Sequence, residues 1–500
     1  MLKVLNRRGY KNSSRYNNLL LECGFSDVCS PVSGKKLNNK QWKNILENKK
    51  INNNSRKTKW IEDKKCYMES SIEDFAQDFS SAVSLEPNRF ANLLLKINKD
   101  ISDIYIDSLF NAIVYSDNLN EVPNCTIEKL ILRFGYNYTS YRAENICCIL
   151  SKKEDINWSK DILNILCDIA IKHNNPEEDL QIKSFEELYS YSFSSVRGSA
   201  ARAIGDLLWK DINLFNYFKQ IIEILCNDTN PIVRLAAIYI LYPVYNIDRE
   251  FARTNIISIL EKDYRVIGYL RMKNMYFLLY EDSKEYIDKA VLKCYSSKDK
   301  HLIGNASYII SEMYIRHRRY ESVINSKDMN TEQAKYIIEM AIIYINKKEY
   351  SKVAKELIKK ILDLNIDIEN VLSRIFYDNL VDLKKDKDFI IDVVKSHMGR
   401  KIVRSFAKYV EENVLNIIEY SDIILALSFN IVLDYPKTEE NYWGLATELS
   451  TLIIRLYDQC YQSKSKDLRE VADKCLEIWD LMFEKRIGVA RILTQHMLDR

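Results

Sequence analysis

The sequence predicts an all-α protein built as an α-solenoid, in which short helices stack in pairs along the chain. Glycine and proline are scarce, with 11 and 7 residues among 500, so turns are few and helices must dominate. A motif also recurs at intervals of 37 residues, which is typical of helical repeats whose units cannot bury their apolar faces alone. Its copies are Val196-Arg197 with Ala200 and Ile204, Val233-Arg234 with Ala237 and Leu241, and, more weakly, Leu270-Arg271 with Leu278.

The first copy reads as a capped amphipathic helix. Serines at 194 and 195 are candidate N-caps, and the apolar side chains from Val196 to Leu207 fall on one helical face. A polar turn followed by Val-Arg and an alanine-rich helix resembles HEAT repeats. In such repeats the arginine pairs with an acidic residue of a neighbouring turn. The resemblance therefore implies structural roles for Arg197, Arg234 and Arg271.

The second copy carries a clear start signal. Asn230 precedes Pro231, and a proline in the first helical turn loses no hydrogen bond. The pattern predicts a helix from there to about residues 242–243. Farther along, Arg319-Tyr320 and Glu349-Tyr350 lie 30 residues apart and resemble the turns of tetratricopeptide repeats. The predicted solenoid thus grades from HEAT-like to tetratricopeptide-like repeats toward its carboxyl end.

These patterns divide the chain into four segments. The first is basic and mostly irregular, with one short helix near Asn38–Glu47. Helical repeats, HEAT-like repeats and tetratricopeptide-like helices follow, and a final helix, Ile487–Leu498, is predicted to cap the stack, since an uncovered last repeat would expose apolar surface. The segments are 1–65, 66–183, 184–318 and 319–500.

Charge is distributed unevenly along the chain. Residues 1–65 contain 16 Lys or Arg against 5 Asp or Glu, whereas the remaining 435 residues contain 57 against 65. A basic arm is compatible with nucleic-acid binding, but its lysine and asparagine richness is equally typical of a solvated linker. The acidic remainder disfavours a surface that follows phosphates.

Cysteine and histidine usage indicates neither disulfides nor a metal. The 11 cysteines are scattered and form no C-x-x-C, which predicts buried, reduced thiols and a cytoplasmic location. The histidines are isolated from other metal-ligand types, and no apolar stretch is long enough to span a bilayer or to serve as a signal peptide. The five histidines are His173, His301, His317, His397 and His496.

Motif searches give no support for an enzyme or a cofactor. Gly34-Lys35 is followed by Lys36 and lacks the earlier glycine of a phosphate-binding loop, and the sequence contains no G-x-G-x-x-G, G-x-S-x-G or H-E-x-x-H. Acidic pairs such as Glu411-Glu412 are adjacent, so they point apart on a helix. We expect no catalysis and neither binding nor hydrolysis of ATP.

One ridge is a candidate partner-binding surface. The 37-residue register places Arg202, Tyr239 and Tyr276 at equivalent positions on an outer edge, with Leu235 and Tyr242 beside Tyr239. Arginine and tyrosine are common interface anchors. The alternative is that these helices are packed on several sides, so that the same residues belong to the core.

Five short strings resemble, in the same order, the bacterial STAND-type antiviral ATPases of the AVAST class. The first two resemble that family's "GSP-I … MSDEAWLRAM" segment, and the others resemble strings in its carboxyl-terminal helical-repeat half. The strings are Cys29–Val32, Leu37–Leu46, Glu86–Leu93, Ser195–Ala201 and Asn230–Arg234.

This resemblance implies a non-enzymatic sensor region that recognises a protein ligand, namely a phage protein, in antiviral defence. Family members carry an effector and a nucleotide-binding domain before the repeats, and this sequence shows neither. The resemblance then implies a sensor half detached from those domains, and ATP binding is not carried over. The alternative is a HEAT-like nucleic-acid-binding protein, which is supported only by the basic residues 1–65.

Overall fold

The computed structural model describes residues 36–48, 57–61, 66–70, 72–135, 139–177, 182–433, 443–461, 463–485 and 487. The chain divides into two compact units, Met1–Val266 and Ile267–Arg500. The boundary falls inside the predicted segment 184–318. Both units are stacks of α-helices, so the all-α solenoid predicted from the sequence is confirmed.

The first unit contains twelve helices within its described residues. They are α1 (Asn39–Leu46), α2 (Ile72–Leu85), α3 (Pro87–Leu95), α4 (Asp103–Val114), α5 (Asn124–Phe134), α6 (Ser140–Lys152), α7 (Lys160–Lys172), α8 (Phe185–Ser194), α9 (Val196–Lys210), α10 (Phe215–Cys226), α11 (Pro231–Tyr245) and α12 (Arg249–Lys262).

Ten of these helices form two layers. Helices α2, α4, α6, α9 and α11 pack side by side in the first layer, and α3, α5, α7, α10 and α12 form the second. Helix α8 is an addition that packs on α9 and α11. Each repeat therefore contributes one helix to each layer, which is the arrangement of a solenoid.

A β-hairpin corrects the expectation of a chain without a sheet. Strand β1 (Lys57–Ile61) pairs antiparallel with β2 (Cys66–Ser70), with Lys57 opposite Ser70. The scarcity of glycine and proline argues for helices over the whole chain, and it cannot exclude one short local pair of strands.

Helix α1 lies inside the basic segment and is packed on the first unit. Its N-cap Asn38 and Gln41 form a capping box, with bonds of 3.0 and 2.8 Å. Trp42 is fully buried, and its ring meets those of Phe79 and Phe90 edge to face at 5.3 and 6.1 Å. The helix predicted near Asn38–Glu47 is present. Most of the remaining basic segment, to which the linker interpretation applies, lies outside the described residues.

The N-caps of α9 and α11 use the residues that the sequence singles out. The Ser195 side chain accepts a hydrogen bond from the Gly198 backbone at 3.2 Å, and that of Asn230 accepts one from Ile232 at 2.9 Å. Pro231 occupies the first turn of α11. The helix continues beyond the predicted end to Tyr245 and contains Pro243 in its last turn.

Two of the three repeat arginines join neighbouring turns. Arg197 forms an ion pair with Asp228 and donates to the Ala170 carbonyl at 2.9 Å. Arg234 donates to the carbonyls of Asp228 and Thr229 at 2.7 Å, and lies 3.9 Å from Asp263. These contacts tie the turn before α11 to its neighbours on both sides.

Arg271 does not share this role. It is exposed in a 3₁₀ turn, Leu270–Met272, and no ion pair joins it to another residue that the structure describes. The third sequence copy therefore does not begin a helix as the first two do. Its next residues start a long helix that has non-helical backbone angles at Ser283, so the repeat geometry is not maintained.

The second unit also has two layers. Its described helices are α13 (Lys273–Tyr295), α14 (Lys300–His317), α15 (Glu321–Ile324), α16 (Thr331–Tyr344), α17 (Ser351–Leu362), α18 (Glu369–Leu372), α19 (Arg374–Tyr377), α20 (Lys387–Lys395), α21 (Gly399–Asn413), α22 (Ser421–Leu433), α23 (Trp443–Tyr461) and α24 (Lys466–Glu484). Helices α14, α16, α18, α21 and α23 pack in sequence, and α17, α20, α22 and α24 pack beside them. The predicted cap, 487–498, lies outside the described residues except for Ile487.

Tyrosine hydroxyls link successive turns of this unit to buried or half-buried carboxylates. Tyr344 donates to Glu312 at 2.7 Å and Tyr320 to Asp288 at 2.5 Å. In both pairs 32 residues separate donor and acceptor, which is about one repeat. Each bond satisfies a polar group that would otherwise be costly to bury.

Candidate protein-binding surface

Two members of the predicted partner-binding ridge belong to the core. Leu235 is 1% exposed and Tyr276 is 0% exposed. Burial raises the pKa of the Tyr276 hydroxyl, as expected for a phenol removed from water. The prediction that these residues contact a partner is wrong, because both side chains are removed from solvent within their own packed helices.

Tyr239 is half-buried and packs within the first layer. Its ring lies against Gly205 of α9, where an added Cβ would be 2.8 Å from a ring carbon. Its hydroxyl donates to Asp206 at 2.5 Å. Glycine at 205 thus permits the close approach of α9 and α11, and Tyr239 mainly joins these two helices.

Arg202 and Tyr242 remain partly exposed. The Arg202 guanidinium lies 6.0 Å from the centre of the Phe193 ring of α8. Burial raises the pKa of Glu144 in α6, and the nearby positive charge of Arg202 opposes that rise. Tyr242 packs edge to face with Trp209 at 5.5 Å, and Trp209 is itself half exposed.

Trp209 and Tyr242 belong to a larger row that we call the aromatic edge. It consists of large apolar side chains at or just beyond the carboxyl ends of first-layer helices. Among its members Tyr115 is 70% exposed and Ile212 is 61% exposed. The aromatic edge comprises Leu85, Tyr115, Trp209, Ile212 and Tyr242.

Hydrogen bonds hold the carboxyl ends of α2 and α4 together. The Ser116 hydroxyl donates to the Ser84 carbonyl at 2.6 Å, and the Asn118 side chain donates to that of Leu85 at 3.0 Å. Both acceptors are carbonyls of the last turn of α2, which have no partner inside their own helix. Leu85 and Tyr115 are therefore neighbours along the edge.

Lysine side chains link the carboxyl ends of the following helices, α4, α6 and α9. Lys152 of α6 lies with its ammonium 4.7 Å from the centre of the Tyr115 ring, a cation–π contact. Lys210 of α9 donates to the carbonyls of Ser151 and Lys153 at 2.5 and 2.7 Å. Cations at helix carboxyl ends also complement the helix dipole. Four successive repeats thus carry their last turns on one side of the unit.

Several exposed apolar side chains along one edge of a repeat protein are unusual, whereas isolated ones are common. Single exposed hydrophobic residues need no explanation, whereas contiguous ones rimmed by polar groups mark interaction sites. Tryptophan and tyrosine also lose little side-chain entropy on binding and gain a large contact area. The aromatic edge is therefore a candidate surface for a partner that lies across several repeats.

Four of the five edge residues are not among those predicted from the sequence, and Tyr242 is the exception. Helical phase alone selects a face of a helix and gives no information about the helix end. A usable signal was present, since Trp209 and Tyr242 each lie in the last turn of an apolar helix. Whether such a residue is exposed depends on the helices beside it, and those contacts lie outside any single repeat.

The described residues show no constellation for metal binding. Among them, no group of three or more His, Cys, Asp or Glu side chains could hold a metal ion. Burial raises the pKa of the Cys167 thiol to about 11, so it is protonated at neutral pH. The helices that the structure describes are also too short or too polar to cross a membrane.

Comparisons with known proteins identify no family for this chain. No protein-family model and no curated protein sequence matches the chain. One similar solved structure is a circular tandem repeat protein with novel repeat topology and enhanced subunit contact surfaces, at 12% identity and a TM-score of 0.19. That match covers 84% of this chain and 91% of the other. At this TM-score it adds nothing to the fold seen directly.

Proposed function

We propose that this chain is a protein-recognition solenoid that binds its partner through the aromatic edge of the first unit. The observation that carries the proposal is the set of exposed apolar side chains at one edge of the first layer, with Tyr115 after α4 and with Trp209 and Ile212 at the end of α9, two repeats farther along. Exposed carboxylates beside the row, including those of Asp117 and Glu154, would repel nucleic-acid phosphates. A protein partner is therefore the better candidate than a nucleic acid.

The finer proposal is that the partner is a phage protein and that the chain is the ligand-sensing region of an antiviral STAND-type ATPase. Its support is the ordered set of sequence strings. Two of those strings, Ser195–Ala201 and Asn230–Arg234, lie at the starts of α9 and α11, which carry Trp209 and Tyr242. Nucleotide binding and the effector would then be supplied by other domains.

Binding of the partner should depend on Trp209. The full chain would be used to capture proteins from phage-infected and uninfected bacteria, and a protein enriched only after infection would be purified. We expect Trp209→Ala to weaken partner binding by about 1–3 kcal/mol, which is roughly 5-fold to 150-fold in Kd, as for an interface anchor. Titration calorimetry measures this difference.

Leu132→Ala provides the matched control. Leu132 is 53% exposed on α5 of the second layer, so this substitution removes an exposed apolar side chain that lies away from the edge. Its Kd should equal that of the unaltered chain. Equal binding by the unaltered chain, Trp209→Ala and Tyr242→Ala would eliminate the edge as the interface, and failure to enrich any phage protein would eliminate the sensor role.

A further inference from the structure

The aromatic edge is bordered by negative charge. Asp117 and Glu121 follow α4, and Glu154 follows α6, and all three carboxylates are exposed. The lysines at the same edge keep their positive charge, but their ammonium groups are directed to main-chain carbonyls or to the Tyr115 ring. Lys153 is buried and donates to the carbonyls of Asn120 and Val122 at 3.3 and 2.7 Å. The edge therefore presents apolar side chains with an acidic border, which fits a basic segment that also carries apolar residues.

Such a segment lies in this chain before α1. Residues 1–35 contain six Lys or Arg and two Asp or Glu, and no acidic residue occurs among the first eleven. Those eleven residues, MLKVLNRRGYK, combine four basic side chains with two leucines, a valine and a tyrosine. Their composition complements the aromatic edge in both charge and hydrophobicity.

The position at which this segment joins the described chain is close to the edge. The Leu37 carbonyl accepts a hydrogen bond from Arg89 at 2.9 Å, and Arg89 also pairs with Glu86 at 2.6 Å. Glu86 directly follows Leu85, the first residue of the edge. Residues 1–35 are therefore tethered beside one end of the surface that they complement.

The tether is long enough to reach along the edge. Five adjacent helices at about 8–10 Å between axes give an edge of roughly 40 Å. For a chain of 35 residues, the random-coil end-to-end distance is about 33 Å and the fully extended length is above ~100 Å. A tether of this size gives an effective concentration of about 1 mM, so even weak contacts would be occupied.

We propose that residues 1–11 bind the aromatic edge of the same chain and compete there with the protein partner. The regulatory role rests on the proposed function of the edge, whereas the contact itself does not. In the proposed contact, the basic residues Arg7, Arg8 and Lys11 would pair with the carboxylates that border the edge, and the apolar residues of the segment would cover Tyr115 and Trp209. Displacement of the segment is then required before a partner can bind.

Photo-crosslinking in the full chain tests the contact without any partner. Tyr115 is replaced by p-benzoylphenylalanine, and crosslinked peptides are identified by mass spectrometry; Leu132 replaced in the same way is the control. We expect crosslinks from position 115 to residues 1–11, about tenfold above those from position 132, because the tether favours the nearby surface. The yield should fall as salt is raised, since exposed charges are screened.

Three further outcomes decide the proposal. The charge reversal Arg7→Glu/Arg8→Glu/Lys11→Glu should abolish the crosslink, and in a mixture of ¹⁴N and ¹⁵N chains each crosslink should contain a single isotope. Absence of crosslinks to residues 1–11, or isotopically mixed crosslinks, would overturn the intramolecular contact.

The proposed function can fail separately from this contact. If Trp209→Ala leaves partner binding unchanged while the crosslinks to residues 1–11 are still formed, only the proposed function of the edge has failed.

Discussion

Replacing Arg142 by methionine should lower the free energy of unfolding by about 3–5 kcal/mol, the largest loss expected for any single substitution in the first unit. Arg142 is 2% exposed in α6. Its guanidinium lies 2.6 Å from carboxylate oxygens of Asp103 and Asp107 and donates to the Phe134 carbonyl at 2.8 Å. Methionine fills a similar volume but leaves the mostly buried Asp107 without its cation. Urea denaturation measures the loss.

Asp103→Asn is the control for the Arg142 pair. The Asp103 carboxylate is largely exposed, so its interaction with Arg142 is screened by water and should contribute less than about 1 kcal/mol. A methionine variant that unfolds within 1 kcal/mol of the unaltered chain would show that this network does not hold α4 and α6 together.

Replacing Glu312 by leucine should destabilise the second unit by about 3 kcal/mol at neutral pH. Glu312 is buried in α14, forms an ion pair with Lys273, accepts from Tyr344 at 2.7 Å and lies 3.4 Å from Arg316. Leucine leaves the ammonium of Lys273 and the hydroxyl of Tyr344 without this acceptor. Thermal unfolding of the full chain, followed by calorimetry, measures the change.

The pH dependence of this variant gives a second check. Burial tends to raise the pKa of Glu312, but its bonds with Lys273 and Tyr344 outweigh burial and lower the pKa below its ordinary value of 4.5. A carboxyl group with a depressed folded-state pKa stabilises the fold above its ordinary pKa, and this stability is lost as the pH falls through the folded value. The difference between the two chains should therefore narrow below about pH 4.5. A constant difference down to pH 3 would assign the loss to packing alone.

The sequence predicted what local residues determine. Ser195, Asn230 and Pro231 define helix starts through hydrogen bonds within a few residues, and the structure places α9 and α11 there. The exposure of Tyr276 and Leu235 was not predictable in this way. Their burial depends on helices from other repeats, and a helical wheel of one copy contains no information about those neighbours.

Features outside the repeats were the hardest to predict. The sequence predicts the helix near Asn38–Glu47, but the burial of Trp42 depends on Phe79 and Phe90, which lie far along the chain. The aromatic edge arises only when last turns from four repeats are brought together. Most neighbours along the edge lie at least 30 positions apart in the sequence. Examples are Leu85 with Tyr115 and Trp209 with Tyr242.

Hydrogen–deuterium exchange of the full chain with and without its captured partner tests the central claim most directly. If the aromatic edge is the interface, bound partner should slow exchange in the segments that follow α4, α6 and α9, which carry or adjoin Tyr115, Lys152 and Trp209. Exchange in α5 and α7 of the second layer should not change. Slowed exchange confined to the second layer, with the segments of the edge unaffected, would contradict the proposed binding surface.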